Sequence, residues 1–345
     1  MGIILLYLAF YFFALMAENT TINRRSLLML TCFLLAVLAG TRNVQLWGDT
    51  EVYLDSFLNY TPSLTDITLY DRPYGYTEKG FFYLGVIVKT FTDKVTIYFL
   101  VVSGLSFYFL FKAFNKYCYY PFLGCCAYVS RFYFARNFVQ IRAGLSYAII
   151  LMAVQYITSK DWKRYFAWVF VAYLFHHSAI IAVPLYFLCM INIRKKHIVI
   201  GLVSAFIVAF LFSDIVRVIV SDSASDLSVD TYVSNEYQRE WGLSNPMIYF
   251  QSFLLLIYSF AEKRMRLTTS HYVTIRNAYF YSTFILIVLS CYTALSGRVS
   301  SMFATLEMVI IPSIAYSFLK KDRWIAFLCM GAALTIIFYL NYGGR

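Results

Sequence analysis

Five arginines and a histidine pair interrupt stretches where charge is expensive: Arg42, Arg131, Arg136, Arg142, Arg298 and His176/His177. A guanidinium offers planar, multidentate donors, so several around one point can enclose a phosphate or diphosphate. An imidazole beside them can orient such a group or accept a proton near neutral pH. Arg142 lies about one turn inside the apolar run AGLSYAIILMAV. An arginine at a bilayer centre costs about 2.5 to 3.5 kcal/mol and less near the interface, which favours a working role for it. For Arg131 and Arg136 the competing account is snorkelling toward headgroups. Taken alone, Arg42 in GTRNVQ and Arg298 in ALSGRVSSMF read as loop arginines, Gly297 letting the backbone bend closely beside the latter. His176 alone reads as a core histidine held by a hydrogen bond. Asp49, followed at helical spacing by Tyr53 and Asp55, is either a helix-start residue satisfying free amides or a general base toward a hydroxyl. Glu78, ahead of GFFYLGVIVKTFT, carries the same pair of readings. Tyr53, Tyr60, Tyr70, Tyr74 and Tyr76 offer ring faces for sugars, although tyrosines also collect at membrane interfaces for their own reasons.

These residues sit in a chain that is 61% hydrophobic, 20% aromatic and only 14% charged, with a mean hydropathy of +0.65. Such a composition excludes an ordinary water-soluble globule and points to an integral membrane protein. A net charge of +11 would suit nucleic acid, yet no long basic run exists. The cations fall in short clusters between apolar runs: Arg24/Arg25, Lys112/Lys116, Lys160/Lys163/Arg164, Arg194/Lys195/Lys196, Lys263/Arg264/Arg266 and Lys320/Lys321/Arg323. Lysine and arginine beside span ends resist translocation, so these mark a cytoplasmic face and touch anionic lipid. Twelve of the eighteen carboxylates lie instead in residues 42–79 and 214–246, which then face outward. The seven cysteines lie in or beside apolar runs, which argues against disulfides and a zinc site. Ile3 to Ala17 lacks a basic leader and a cleavage site, and reads as a retained first span.

A hydrocarbon core of about 30 Å needs roughly 17 to 25 helical residues. Spans are expected near 2–17, 27–41, 95–113, 119–135, 138–157, 198–213, 247–261, 277–295, 300–319 and 324–341. Residues 80–92 reach only about 20 Å as a helix, and charge parity favours a re-entrant or interfacial helix there. Parity likewise folds 165–191 into a tight hairpin turning at His176 to Ala179, its tip buried below the outer surface. The expected fold is all-α: a single transmembrane domain over 1–345 with about twelve crossings, both termini outside, and outer loops at 42–94 and 214–246. There is no internal repeat.

The ordered set TRNVQLWGDTEVY, EKGFFYL, FVQIRAGLSYAIILMA, LFHHSAII and GRVSSMF resembles the EpsG/Wzy family of polysaccharide polymerases through most of the chain. Arg42, Gly48, Asp49 and Tyr53 match its opening outer-loop element, and Glu78, Gly80 and Phe81 its Glu-x-Gly-Phe. Ile141, Arg142, Gly144 and Leu145 match its Ile-Arg-x-Gly-Leu-Ala, with Ser146 in place of the usual alanine. His176, Ser178 and Ala179 match its His-x-Ser-Ala, and Arg298 its late arginine. The resemblance implies a lipid-donor glycosyltransferase without a metal or other cofactor. It would join undecaprenyl-diphosphate-linked oligosaccharide repeat units at the outer face of the bacterial plasma membrane, for O-antigen, capsule or exopolysaccharide. Membrane lipids and a chain-length regulator protein are the implied partners, and nucleic acid is not one.

In that reading Arg142, Arg298 and Arg42 hold the diphosphate leaving group, with Arg136, Tyr53 and Glu78 completing the diphosphate and sugar contacts. Asp49 is the first choice of base for the acceptor hydroxyl; His176 is the second, or else a diphosphate ligand. Neither outer loop holds a DxD-like metal pair, so positive charge must come from arginine. A transporter or flippase, a membrane acyltransferase using His176, and a ligase of finished polymer are the rival readings. Transporters often carry duplicated halves and midplane charges, and no duplication is visible here.

Overall fold

Backbone amides removed from water must be paired within their own segment, which leaves helix as the solution for long apolar runs. The computed structural model describes residues 2–20, 23–66, 78–215, 218 and 241–342, and every regular element among them is helical. In chain order these are α1 (Gly2–Glu18), α2 (Arg24–Gly40), α3 (Gly48–Asn59), α4 (Lys79–Phe91), α5 (Val95–Tyr117) and α6 (Pro121–Arg131). A π turn (Ala135–Val139) then leads into α7 (Ile141–Thr158) and α8 (Trp162–Phe175). A 3-10 segment (His177–Ala182) precedes α9 (Val183–Met190) and α10 (Lys195–Leu211). The longer helices that follow are α11 (Pro246–Phe260), α12 (Tyr272–Val288), α13 (Thr293–Ala304), α14 (Glu307–Tyr316) and α15 (Arg323–Tyr342), with short helical turns at Gly242–Ser244, Glu262–Met265 and Lys320–Asp322. Local chemistry sets several boundaries. Asn23 caps α2, Asp161 caps α8, and Asn245 caps α11 with Pro246 in the first turn, where its missing amide costs nothing.

The helices pack through small residues and buried hydroxyls. A Cβ on Gly40 would fall 2.7 Å from the Leu100 Cα, so α2 and α5 approach backbone to backbone. Ser103 Oγ donates to the Ala36 carbonyl at 2.8 Å across the same interface. Tyr7 and Tyr11 on α1 donate to the carbonyls of Cys126 (3.1 Å) and Phe327 (2.6 Å), tying it to α6 and α15. Hydrogen bonds also identify the two ends of the bundle. At one, Tyr117 meets Gln155, Thr158 meets Thr274, Arg276 meets Ile193 and Arg264 meets Ser317. Lysine and arginine clusters gather there. At the other, Arg42 meets Asn137, Thr50 meets Phe138 and Tyr147 meets Arg298.

The count of about twelve crossings is corrected. Among the described residues α5, α7 and α15 with the 3-10 turn before it (Lys320–Tyr342) are long and apolar enough to cross a membrane. The α13–α14 pair, bent by 56°, makes a fourth if taken as one span. Apolar sequence overstated the rest because the helices end early or break. The helices α1, α2, α10 and α12 stop at 17 residues, and α6 ends at Arg131 after 11. Between α8 and α9 the chain turns through the 3-10 segment, so neither is a full-length rod. Most of the outer loop expected at 214–246, and 67–77 with Tyr70, Tyr74 and Tyr76, lie outside the described residues.

Candidate functional site

The polar group at the non-basic end is built on the first turn of α7. A π turn at Ala135–Val139 carries Arg136 and runs directly into it, Gln140 N donating to Ala135 O at 2.8 Å. Gly144 makes this possible, because a Cβ there would collide with the Arg136 carbonyl oxygen. Arg142, the second residue of α7, consequently projects beside the turn with 24% of its side chain exposed. Its Nη1 donates to Glu78 Oε2 at 2.6 Å, and its Nε lies 3.4 Å from the Tyr53 hydroxyl.

Glu78 occupies the N-cap of α4 yet makes no side-chain cap bond there; its buried carboxylate turns to Arg142 instead. The next motif residue explains why α4 can bring it so close. A Cβ on Gly80 would fall 2.7 Å from the Leu174 carbonyl oxygen, so α4 lies against the end of α8 with no side chain between them. Tyr53 on α3 is buried beneath the pair; burial pushes its phenol above the ordinary range, against the pull of Arg142, so it stays neutral. Thr50 Oγ1, donating to Phe138 O at 2.8 Å, pins α3 to the π turn.

Helix α8 ends where His176 becomes extended. Its amide donates to Ala172 O at 3.0 Å, and Ser146 Oγ donates to that same carbonyl at 3.0 Å. The serine that replaces the usual alanine therefore fixes the hairpin tip to α7. Ser146→Ala is expected to cost about 1 kcal/mol, lowering Tm of the detergent-purified protein by roughly 2 °C, because the carbonyl keeps its amide partner. His176 Nδ1 accepts from the Ser178 amide at 3.1 Å and sits 2.7 Å from Ser178 Oγ. With Nδ1 occupied as an acceptor, a neutral ring carries its proton on Nε2 and is a donor toward a ligand. Ser178 Oγ also lies 3.1 Å from the Tyr147 hydroxyl, which donates to the Arg298 carbonyl at 3.3 Å. His176 thus lies within electrostatic reach of Glu78, Arg142 and Arg298 together.

The other expected residues take different positions. Arg298 is half-buried in the middle of α13, and Gly297 is helical with nothing within 4 Å of an added Cβ. The close bend assigned to Gly297 is therefore corrected; the chain bends later, between Ala304 and Glu307. Arg136 is buried, donating to the Ser301 carbonyl with its guanidinium 4.6 Å from the Tyr147 ring centre. Arg42 lies 3.9 Å over the Phe99 ring while Nη1 bonds the carbonyls of Ala39 (2.7 Å) and Asn137 (2.9 Å). Its Nε and Nη2 are buried without a hydrogen-bond partner among the described residues. Burial pushes Arg42 down to about 10, which keeps it charged at neutral pH. Asp49 is exposed in the first turn of α3, its charge reaching the Tyr53 phenol. His177 is exposed and stacks on Tyr173. Arg131 pairs with Glu307, which also accepts from the Tyr279 hydroxyl at 2.9 Å, inside the core.

Sequence reasoning passed over Tyr147 and Glu307. Tyr147 lies three residues beyond Gly144 in the same motif, and Glu307 is a lone carboxylate in TLEMVII, a placement that demands a cationic partner. No curated protein and no solved structure matches this chain. A family model does, over residues 25–343, which covers every residue of the group described above. The chain belongs to the EpsG family.

Proposed function

We propose that this protein joins oligosaccharide repeat units carried on undecaprenyl diphosphate, at the membrane face opposite its basic loops. Members of the EpsG family are polysaccharide polymerase-like proteins, and this chain's apolar helices make it a membrane protein. The observation that carries this reading is that Arg142 and Arg298 both lie within electrostatic reach of His176, while Ser178 and Tyr147 link that histidine to the Arg298 backbone. In this mechanism the diphosphate leaves the anomeric carbon as the acceptor hydroxyl attacks, and charge grows on its bridging oxygen. Arg142 meets that charge after exchanging part of its bond to Glu78, Arg298 flanks it, and His176 donates from Nε2. Asp49, exposed at the rim, takes the hydroxyl proton. Arg42 and Arg136 hold backbone carbonyls and support the frame.

Purified protein in detergent, given lipid-linked repeat units and no membrane gradient, is expected to lengthen the sugar chain. Unchanged chain length would overturn the assignment, and a transporter would give that result. In cells, Asp49→Ala at normal membrane abundance is expected to reduce polymer about a hundredfold, in line with general-base removal. Wild-type chain length would remove Asp49 from the mechanism.

A further inference from the structure

At the opposite, basic end the described residues line a half-open cavity of about 390 Å³. Arg194, Lys195 and Lys196 reach it from the start of α10, Glu262 and Arg266 from the turn after α11, and Arg276 from α12. Its lining contains one carboxylate. Glu262 already bonds Arg266 at 2.7 Å and lies 3.9 Å from Lys195. Arg194, Lys196 and Arg276 are left without a compensating negative charge among the lining residues. Arg276 is the informative one, for it is only 3% exposed and forms no ion pair among the described residues. Its Nη2 bonds the Ile193 carbonyl at 2.6 Å and Asn277 Oδ1 at 3.1 Å, which aligns the guanidinium but neutralises nothing. A buried cation without a counter-ion is costly. The first turn of the 17-residue α10 adds the positive end of a helix dipole to the same wall.

We propose that this cavity is a binding site for a phosphate-bearing anion, separate from the proposed reaction site and independent of that reading. The fork of Arg194 suits phosphate oxygens, Arg276 adds its charge and Nη1 beyond the Nε and Nη2 bonds to Ile193 and Asn277, and Lys196 supplies a point charge at the mouth. The volume admits a diphosphate or the headgroup of an anionic phospholipid. Helix α7 runs from Ile141, next to Arg142, to Thr158 over 18 residues, about 27 Å at the helical rise. One ligand headgroup therefore cannot serve both places.

The test measures Tm of the full chain in two arms: inorganic diphosphate added in detergent, and nanodiscs of phosphatidylglycerol against phosphatidylcholine. A rise with diphosphate assigns a soluble phosphate; a rise confined to phosphatidylglycerol assigns a lipid headgroup. The variant Arg194→Gln/Lys196→Gln alters two exposed side chains and leaves Arg276 in place, so folding is preserved. It is expected to need about tenfold more ligand for the same rise. Lys320→Gln/Lys321→Gln, an exposed pair outside the cavity, is expected to respond as the wild type does. No rise in either arm, or equal losses in both variants, would overturn the proposal.

Discussion

Arg142→Ala is expected to reduce polymer formation by about a hundredfold to a thousandfold, the range seen when a preorganised donor to developing charge is removed. The residue neutralises the buried Glu78 at 2.6 Å, and in the proposed mechanism it also meets the charge on the diphosphate. Truncation strands the carboxylate, which for a buried pair costs about 3 to 5 kcal/mol and less here because Arg142 is partly exposed. Arg142→Lys separates these two roles. It keeps the charge beside Glu78 and should preserve Tm to within a few degrees, yet it lacks the planar fork and should still lose about tenfold or more in activity. Polymer length in cells and Tm of the purified variants check both statements. Normal polymer from Arg142→Ala at wild-type abundance would show that this cation does not serve the reaction.

Gly144→Ala and Gly80→Ala should be nearly as damaging, although neither residue can touch a substrate through a side chain. At Gly144 the new methyl meets the Arg136 carbonyl, and at Gly80 it meets the Leu174 backbone. Backbone cannot step aside as a flexible side chain does, so overpacking of about 1 to 3 kcal/mol is expected at each. The first change moves α7 away from the π turn and with it Arg142. The second parts α4 from α8, and so Glu78 from His176. Gly297→Ala is the control. It lies beside Arg298 in a helix with open space around it, where exchanging glycine for alanine is expected to raise stability by about 0.5 to 1 kcal/mol. Tm and polymer length should therefore fall for Gly144→Ala and Gly80→Ala, whereas for Gly297→Ala Tm should rise and polymer length stay at the wild-type value, according to local space, not distance from the arginines.

The sequence made the helical class and the gathering of basic clusters at one end legible, because composition and the position of Lys/Arg clusters depend only on transfer energies. Motif order made Glu78, Arg142, His176 and Arg298 legible as candidates. What stayed hidden depends on contacts across the fold. Arg42 and Arg136 share their residue type with Arg142, but aromatic rings and backbone carbonyls hold them, which no local pattern reveals. Tyr147 links Ser178 to Arg298 over intervals of 31 and 151 residues. The tautomer of His176 follows from one backbone amide two residues away, visible only once the hairpin tip is built. Span counting failed for a related reason. Hydropathy registers apolar runs but not the π turn, the 3-10 break or the 56° bend that divide them.

The most direct measurement is a cryo-EM structure of the protein with a non-transferable phosphonate analogue of a lipid-linked repeat unit. Diphosphate density is expected within about 4 Å of the Arg142 and Arg298 guanidinium groups, with His176 Nε2 facing it. Diphosphate density at any other position, with Arg142 still closed on Glu78, would contradict the proposed mechanism.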